Sequence, residues 1–297
     1  MGNYLRRPVV LSGVTAKCRK FWLVAALVPL SLGLSEPALA QTCGPLDATG
    51  SVTCTTVGNP YAGGINYGNT GVPTTVTLQQ GVQVSTNVDQ AVAVSTGTGP
   101  GFGLPATLIA NNVAVSTNSP GGLTSALFLH PILGSATITA SGMMNAAGTG
   151  NTNAIWAATF SSVPGDSASV TYTGAAAPGV IDINATGGSN SSVIQACANA
   201  GCGFSYAGTP PDGNASITAT GNLTGVFGNS GFGLTAVAGG NGTATVNYNA
   251  GTINLTGGSF SAGIFASGGG GATVTTLPGT TIDVSSIAAG PAGIDVF

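Results

Sequence analysis

A five-residue motif recurs through the second half of the chain and constrains its fold more than any other feature. The copies are ATITA (136–140), ASVTY (168–172), ASITA (215–219), ATVNY (244–248) and ATVTT (272–276). The last three copies begin at Ala215, Ala244 and Ala272, so their interval is nearly constant. A repeat of about 20 to 50 residues indicates an architecture in which each structural unit stacks on the next.

Two further short segments follow the motif within each repeat. The second is VIDIN (180–184), TINL (252–255) or TIDVS (281–285), and the third is typified by NAIWA, FGLTAV and AGIFAS. Gly, Asn and Pro separate the segments, as expected of turns, and apolar and polar residues alternate inside them. We therefore predict an all-β fold: a right-handed parallel β-helix, or solenoid, with three strands in each rung of about 28 residues.

The alternation also predicts which side chains point into this helix. Two interior ladders are expected, one of Ile138, Val170, Ile217, Val246 and Val274, and one of Ile155, Ile194, Leu234, Ile264 and Ile294. In stacked parallel strands like residues lie on like, so repeated charges repel whereas Thr and Asn ladders are tolerated. Only 4% of the residues are charged, against about 25% in ordinary domains, which is compatible with such stacking.

Two regions depart from the repeat. Residues 41–80 are rich in turn residues and are predicted to form an N-terminal cap, before repeats that occupy 81–297. Residues 197–213 interrupt the repeats and are predicted to form an inserted loop, because they lengthen one rung from about 28 residues to about 47. Loops on a regular scaffold often carry binding residues, so Phe204, Tyr206 and Asp212 are our candidates for a specific contact.

The segment 1–40 has the features of a signal peptide with an extended basic region. The apolar run at 21–34 follows the basic residues and precedes Ala38-Leu39-Ala40, a small-x-small cleavage site that would leave Gln41 at the mature N-terminus. The run is shorter than the roughly 20 residues of a membrane-spanning helix, which disfavours an anchor. The pair Arg6-Arg7 leaves twin-arginine export open beside the general secretory route.

Four cysteines remain after such a cleavage: Cys43, Cys54, Cys197 and Cys202. An even number in an exported chain indicates disulfides, and the two close spacings favour Cys43–Cys54 and Cys197–Cys202 among three possible connectivities. A four-thiolate zinc site is the alternative, although the spacings differ from those of zinc motifs.

The distribution of charge excludes several classes of function. All Lys and Arg lie between Arg6 and Lys20, and beyond Ala40 there is no Lys, Arg or Glu. Binding to nucleic acid or to anionic lipid depends on Lys and Arg, so neither is expected of the mature chain. We predict no enzymatic activity and no cofactor, because most catalytic sites need basic groups that are absent beyond Ala40. No metal is expected either, since Ala244 replaces the aspartate of a calcium-binding nonapeptide in GGNGTATVN.

A few side chains keep other chemistry open. Asp182 and Asp283 fall at equivalent positions of VIDIN and TIDVS, which offers a weak basis for the paired carboxylates of a glycosidase. His130, the only histidine, precedes a proline and is interpreted as a surface or turn residue. Trp156 is predicted to be outward or flanking, where it could stack on a sugar ring.

The long basic leader, the Ala38-Leu39-Ala40 site, the cysteine-bearing start and the ATVNY, GTINLTG and AGIFAS repeats together resemble the N-terminal part of a bacterial autotransporter passenger. The resemblance implies passage through the inner membrane, export, and a C-terminal β-barrel that these residues do not contain. Filamentous-haemagglutinin-like secretion is the nearest rival, since NPYAGGINY is loosely similar to its secretion motif.

We accordingly expect a non-enzymatic exported protein, at the cell surface or outer membrane or outside the cell, that acts as an adhesin, a stalk or a self-association module. Its partners would be a protein or glycan of a host or neighbouring cell, a second copy, and outer-membrane translocation machinery if a barrel follows. The mature chain is not expected to span a membrane. The alternatives are a β-helical polysaccharide-active enzyme and a nonfunctional truncated fragment of a larger autotransporter.

Overall fold

The computed structural model describes residues 43–97, 104–160, 164–188, 190–199, 211–286 and 291–297. These residues form strands and one 3-10 turn, Thr56–Gly58, and contain no α-helix. The strands are β1 (Ser51–Cys54), β2 (Ile65–Thr70), β3 (Thr74–Leu78), β4 (Gln83–Thr86), β5 (Gln90–Thr96), β6 (Ala106–Ser119), β7 (Leu123–Leu129), β8 (Ala136–Gly148), β9 (Asn151–Thr159), β10 (Ala168–Thr173), β11 (Ile183–Gly187), β12 (Ser191–Ala198), β13 (Ala215–Thr220), β14 (Leu223–Phe227), β15 (Ser230–Ala238), β16 (Ala244–Ala250), β17 (Thr252–Gly257), β18 (Phe260–Ser267), β19 (Ala272–Thr276), β20 (Thr281–Ser286) and β21 (Ala292–Val296).

The strands pair in parallel and form three rows. The first row is β1, β3, the first half of β6, the first half of β8, β10, β13, β16 and β19. The second row is β4, the second halves of β6 and β8, β11, β14, β17 and β20. The third row is a separate eight-stranded sheet in the order β2-β5-β7-β9-β12-β15-β18-β21. The long strands β6 and β8 join the first two rows into one thirteen-stranded sheet.

The strand register confirms both predicted ladders. Cα partners in the first row run Ile138, Val170, Ile217, Val246 and Val274, and those in the third row run Ile155, Ile194, Leu234, Ile264 and Ile294. The ladder side chains are buried in one core shared by the three rows, except in the last strands, where Val274 is half-buried and Ile294 is 45% exposed. An all-β fold of parallel sheets with in-register ladders is compatible with a β-helix or another solenoid.

The outer side of the first row carries a grid of hydroxyl groups. In the first half of β8 (136–141), in β10 and in β13, every second residue is Thr or Ser and lies half-buried or exposed, while the residues between them are buried. The register aligns these residues in three columns, Thr137–Ser169–Ser216, Thr139–Thr171–Thr218 and Ser141–Thr173–Thr220. We call these nine residues the hydroxyl face.

Glycines stand where the chain turns from the first row into the second. Gly142, Gly221 and Gly251 have φ of +100°, +133° and +110°, a backbone conformation that disfavours any residue with a Cβ. The carbonyls of this corner are satisfied from inside the molecule, because Tyr172 Oη donates to Gly142 O at 2.6 Å and Tyr248 Oη donates to Gly221 O at 2.7 Å. Repeated turns at one corner keep the two rows in register.

The segment predicted as a cap contributes strands to the same sheets. Three strands, β1, β2 and β3, lie within 41–80, and they pair in parallel with the strands that follow. The predicted disulfide Cys43–Cys54 is formed, with its Cα atoms 4.9 Å apart. Tyr67 Oη accepts a hydrogen bond from Cys43 N and donates one to Gly44 O, and burial raises the pKa of this phenol.

The repeat unit that begins at Ala168 is longer than the others in two places, where the sequence predicted a single insertion. Ala168 pairs with Ala215 as expected from the motif, and most of the predicted insertion falls between the end of β12 at Ala198 and the start of β13 at Ala215. A second long connection, 174–182, joins β10 to β11, whereas only 221–222 separate the equivalent strands β13 and β14. Ile181 in this second loop is 54% exposed.

None of the described segments contains a helix with the length and hydropathy needed to cross a bilayer. The predicted cleavage residues Ala38, Ala40 and Gln41 lie outside the described residues.

Candidate functional site

A groove on the outer side of the third row is the strongest candidate site. It has a volume of about 370 Å³ and crosses four neighbouring strands, β9, β12, β15 and β18. Its lining consists of Asn151, Asn153, Trp156, Asn190, Ser192, Gln195, Phe232, Thr235, Val237 and Phe265. We call it the aromatic groove; none of these lining residues is charged.

Two columns of paired residues build the groove. The first is Asn153, Ser192 and Phe232, and the second is Trp156, Gln195, Thr235 and Phe265. Along a regular strand one inward residue separates two outward residues. Here two inward residues separate the two outward columns.

This break is visible in the burial of the intervening residues. Ala154 and Ile155 are both fully buried in the core, and so are Val193 and Ile194 on the next strand. Two successive inward residues thus replace the single inward residue expected of a regular strand.

Aromatic rings form one end of the groove. The ring centroids of Phe232 and Phe265 lie 5.3 Å apart, and both side chains are half-buried. Trp156 lies in an outward column, as predicted, but it is only 2% exposed and packs edge-on against Phe128 with centroids 5.0 Å apart. The phenylalanines are therefore the more accessible rings, although Phe232 also packs against Phe260 and Phe265 against Phe297, and Trp156 is a wall of the groove.

Four polar residues of the groove, Asn153, Ser192, Gln195 and Thr235, are buried, whereas Asn151 is half-buried and Asn190 is exposed. Asn153 Oδ1 accepts a hydrogen bond from Ser192 N at 3.0 Å, and the Ser192 and Thr235 hydroxyls lie 3.0 Å apart. Gln195 is only 8% exposed, and its side-chain amide makes no hydrogen bond with the described residues. An amide has two donor hydrogens and an acceptor oxygen, so the groove presents hydrogen-bonding capacity that the described residues leave unused.

A larger groove of about 560 Å³ lies on the second row, between β4 and the 174–182 loop. Its outer side chains include the exposed Met143 and Ile181. Two of its amides are paired with each other, since Asn184 Nδ2 donates to Asn145 Oδ1 at 3.0 Å, and the third, that of Gln83, is on an exposed side chain. This groove therefore makes a weaker demand for a polar ligand than the aromatic groove does.

The carboxylate of Asp182 has a structural role at the edge of that larger groove. It accepts hydrogen bonds from the backbone N–H groups of Ala175 at 2.9 Å, Ala176 at 3.1 Å and Asn222 at 2.7 Å. The side chain is 5% exposed and fastens the 174–182 loop to the corner before β14. Burial, followed by the charge of this carboxylate, raises the pKa of both Tyr172 and Tyr248.

The predicted equivalence of Asp182 and Asp283 is wrong. Cα partners in the second row run Ile183, Leu223, Ile253 and Ile282, so Asp283 is stacked in the column of Asn184. Asp182 lies before Ile183 and therefore outside that column. The two carboxylates do not share a column, and the basis for a glycosidase pair is lost.

His130 follows β7, at a strand end as predicted, but it is not a simple surface residue. It is half-buried, and its ring lies 4.7 Å from the ring of Phe160 and 5.7 Å from that of Phe128, between centroids. Burial lowers the pKa of its imidazole. The imidazole thus belongs to the aromatic packing on the outer side of the third row.

Part of the predicted contact loop can be placed. Asp212, at the end of the loop, is exposed, and its Oδ1 accepts a hydrogen bond from Asn241 N at 2.7 Å. This bond joins the loop end to the turn before β16. Phe204 and Tyr206 lie outside the described residues.

Cysteine chemistry in this region agrees with a disulfide. Cys197 is disulfide-bonded, and its predicted partner, Cys202, lies outside the described residues. Across the described segments, no three His, Cys, Asp or Glu side chains are grouped closely enough to hold a metal ion.

No protein-family model matches the chain, and neither a curated protein nor a solved structure matches it significantly. The functional interpretation therefore depends on the geometry of the rows and of the groove.

Proposed function

We propose that the chain is an exported, non-enzymatic surface protein of the autotransporter-passenger kind, serving as an adhesin, a stalk or a self-association module. The proposal includes a right-handed parallel β-helix with an N-terminal cap and three-strand rungs of about 28 residues. The observation that supports it best is the continuity of the three parallel rows, whose ladders run in register through the described strands. Eight strands at a spacing of about 4.8 Å make a shaft about 34 Å long.

Such a shaft suits a surface protein for a physical reason. Each added rung lengthens the molecule and repeats its outer faces without requiring a larger core. Repeated faces allow several weak contacts to act together, which multiplies their combined strength. An exterior without Lys or Arg does not attract nucleic acid or anionic lipid.

The test is export and adhesion in cells that produce the full chain. We expect surface-accessible protein whose N-terminus begins at Gln41, and increased attachment or aggregation of cells relative to cells that lack the gene. A matched variant, Ala40→Leu, should impair cleavage because the site requires a small residue. Protein confined to the cytoplasm of the wild-type strain would contradict the proposal.

A polysaccharide-active enzyme that uses Asp182 is the competing function. The three backbone hydrogen bonds to its carboxylate favour a structural role instead, since hydrogen bonds to charged groups contribute about 1.5 to 3 kcal/mol each. We expect Asp182→Asn to lower the melting temperature, with no glycan turnover by either form. Turnover by the wild-type chain that Asp182→Asn abolishes, with folding intact, would favour the enzyme.

A further inference from the structure

We propose that the aromatic groove binds a short, neutral oligosaccharide. The inference rests on the proposed function, because it names the class of ligand that a surface protein of this kind would recognise. Four properties of the groove support it: the uncharged lining, the two half-buried phenylalanine rings, the amide of Gln195 that makes no hydrogen bond with the described residues, and the volume.

The lining excludes ligands that need an ionic partner. Its ten residues are aromatic, aliphatic, amide or hydroxyl side chains. A sulfated or uronic-acid glycan, a phosphopeptide or a nucleotide would lose its hydration at this site without gaining a countercharge. A neutral ligand meets no such penalty.

The ring faces and the amides suit the two chemical sides of a sugar. A pyranose ring presents C–H groups on its faces and hydroxyl groups at its edge. Phe232 and Phe265 supply half-buried apolar surface for the C–H groups. Amide side chains can donate to one hydroxyl and accept from its neighbour, and Gln195, Asn153 and Asn151 line the same groove as the rings.

Gln195 is the residue best placed to bond a polar ligand. Its side chain is 8% exposed and its amide makes no hydrogen bond with the described residues, so the amide is available to a ligand that displaces the water of the groove. Its neighbours in the column, Trp156 and Thr235, are also buried and flank it on the two adjacent strands. A sugar hydroxyl would supply the missing hydrogen bond.

The size of the groove limits the ligand to a short segment. A volume of about 370 Å³ lies near the lower end of the range of ligand sites, about 300 to 1,000 Å³, and accommodates roughly two sugar rings. Four strands at about 4.8 Å give the groove a length of about 14 Å, so it could hold part of a longer chain.

The experiment is a titration of the full chain, as cells process it, with defined oligosaccharides. The probes are hexamers of glucose, mannose, galactose and N-acetylglucosamine, with a hexamer of galacturonic acid as the charged control. Calorimetry measures the affinity, and the fluorescence of Trp156, a wall of the groove, reports occupancy. We expect at least one neutral hexamer to bind with a Kd between micromolar and millimolar, and the acidic hexamer to bind at least tenfold more weakly.

Two conservative variants test the site itself. Gln195→Met keeps the length of the side chain and removes its amide, and Phe232→Leu keeps an apolar side chain and removes the ring. Each should weaken binding at least tenfold, with circular dichroism and melting temperature confirming that the variant folds. Met143→Ala, in the larger groove, and Thr218→Ala, on the hydroxyl face, are matched controls that should leave the affinity unchanged.

Several results would overturn the inference. They are the failure of every neutral hexamer to bind at millimolar concentration, equal binding of the acidic hexamer, and undiminished binding by both groove variants. Concentration-dependent dimerisation that Phe232→Leu abolishes, without glycan binding, would assign the groove to a second copy instead. If the chain is exported and cells adhere while glycan binding fails, only this inference fails; if glycan binds but the chain stays in the cytoplasm, the proposed function fails.

Discussion

The hydroxyl face of the first row and the aromatic groove of the third row are both uncharged, yet they are built in opposite ways. On the hydroxyl face, strict alternation places one Thr or Ser between every two buried residues. In the groove, two successive inward residues break the alternation, and each column contains different residue types. The first surface repeats itself, whereas the second is varied and concave.

The difference indicates that strand stacking and ligand binding place different requirements on the outward residues. Small hydroxyl residues can stack on one another in parallel strands without repulsion, so neighbouring strands of the row can repeat them. The requirement for like residues to stack does not explain the column Trp156, Gln195, Thr235 and Phe265, because its members differ in size and polarity. Variation within an otherwise repeated position is therefore compatible with the oligosaccharide site that we propose for the groove.

The largest expected effect distinguishes the inside of the first row from its outside. Ile217 is fully buried in the interior ladder, while its neighbour Thr218 faces outward on the hydroxyl face. We expect Ile217→Ala to reduce the free energy of unfolding by about 2 to 5 kcal/mol, because it leaves a cavity. Thr218→Ala should change it by no more than about 0.5 kcal/mol.

Urea denaturation of the two variants beside wild type measures both effects. Comparable losses in the two variants would show that the hydroxyl face is covered or structurally required, and not an open surface. A negligible loss in Ile217→Ala would contradict the interior ladder.

The second expected effect tests why the hydroxyl face lacks charge. The triple variant Thr139→Asp, Thr171→Asp, Thr218→Asp stacks three carboxylates in one column, at a strand spacing of about 4.8 Å. Each neighbouring pair should destabilise the fold by up to about 1 kcal/mol, giving a total of about 1 to 2 kcal/mol at pH 7. The matched triple Asn variant has similar side chains without charge and should retain most of the stability.

Salt and acid provide the control for this prediction. Raising the ionic strength to 1 M shortens the screening length to about 3 Å, and lowering the pH below about 3.9 protonates the new carboxylates. Both conditions should narrow the difference in melting temperature between the triple Asp variant and the triple Asn variant. A difference in melting temperature that neither condition changes would mean that charge is not its cause.

The third expected effect contrasts inward hydroxyls with outward ones. Tyr172 and Tyr248 point into the core below the hydroxyl face, and burial, then the charge of Asp182, raises the pKa of each phenol. Because the folded-state pKa lies above the unfolded value of about 10, the stability that these phenols contribute is present below pH 10 and is lost as the pH rises further.

Absorbance of phenolate and the melting temperature, both followed from pH 8 to pH 12, test this prediction. We expect the two buried phenols to ionise only as the chain unfolds, and Tyr248→Phe to flatten the decline of melting temperature above pH 10. The comparison uses the slope with pH, because removing the hydroxyl also leaves Gly221 O without its donor at every pH. Reversible ionisation of all tyrosines near pH 10 in the folded chain would contradict the burial of these two.

Sequence patterns identified the interior of this fold better than its surface features. The ladders through Ile217 and Ile264 were predictable because both the repeat and the alternation fix them. Asp182 was assigned to the wrong column because Ile181 and Ile183 on either side of it both resemble the ladder residue of TIDVS. The strand register and the burial show that Ile183 is the one inside, since it pairs with Leu223 and is fully buried, whereas Ile181 is 54% exposed.

The aromatic groove was missed although one signal for it was available. The predicted ladder Ile155, Ile194, Leu234 and Ile264 aligns the third strands, and the residue after each member gives the column Trp156, Gln195, Thr235 and Phe265. The other column could not be predicted, because a regular strand would turn Asn153 inward rather than outward. Broken alternation is a tertiary feature that the local pattern does not encode.

The smallest expected effect applies one substitution to both surfaces. Thr235 is 4% exposed and its hydroxyl bonds to that of Ser192, whereas Thr171 is exposed and makes no side-chain hydrogen bond with the described residues. We expect Thr235→Val to reduce the free energy of unfolding by about 1 kcal/mol, because Ser192 loses its partner in a buried site. Thr171→Val should be neutral within about 0.5 kcal/mol, since valine suits a strand at least as well as threonine. Equal effects in urea denaturation would remove the energetic distinction between the groove and the hydroxyl face, because an organised polar site must depend on its internal hydrogen bonds more than a solvated surface does.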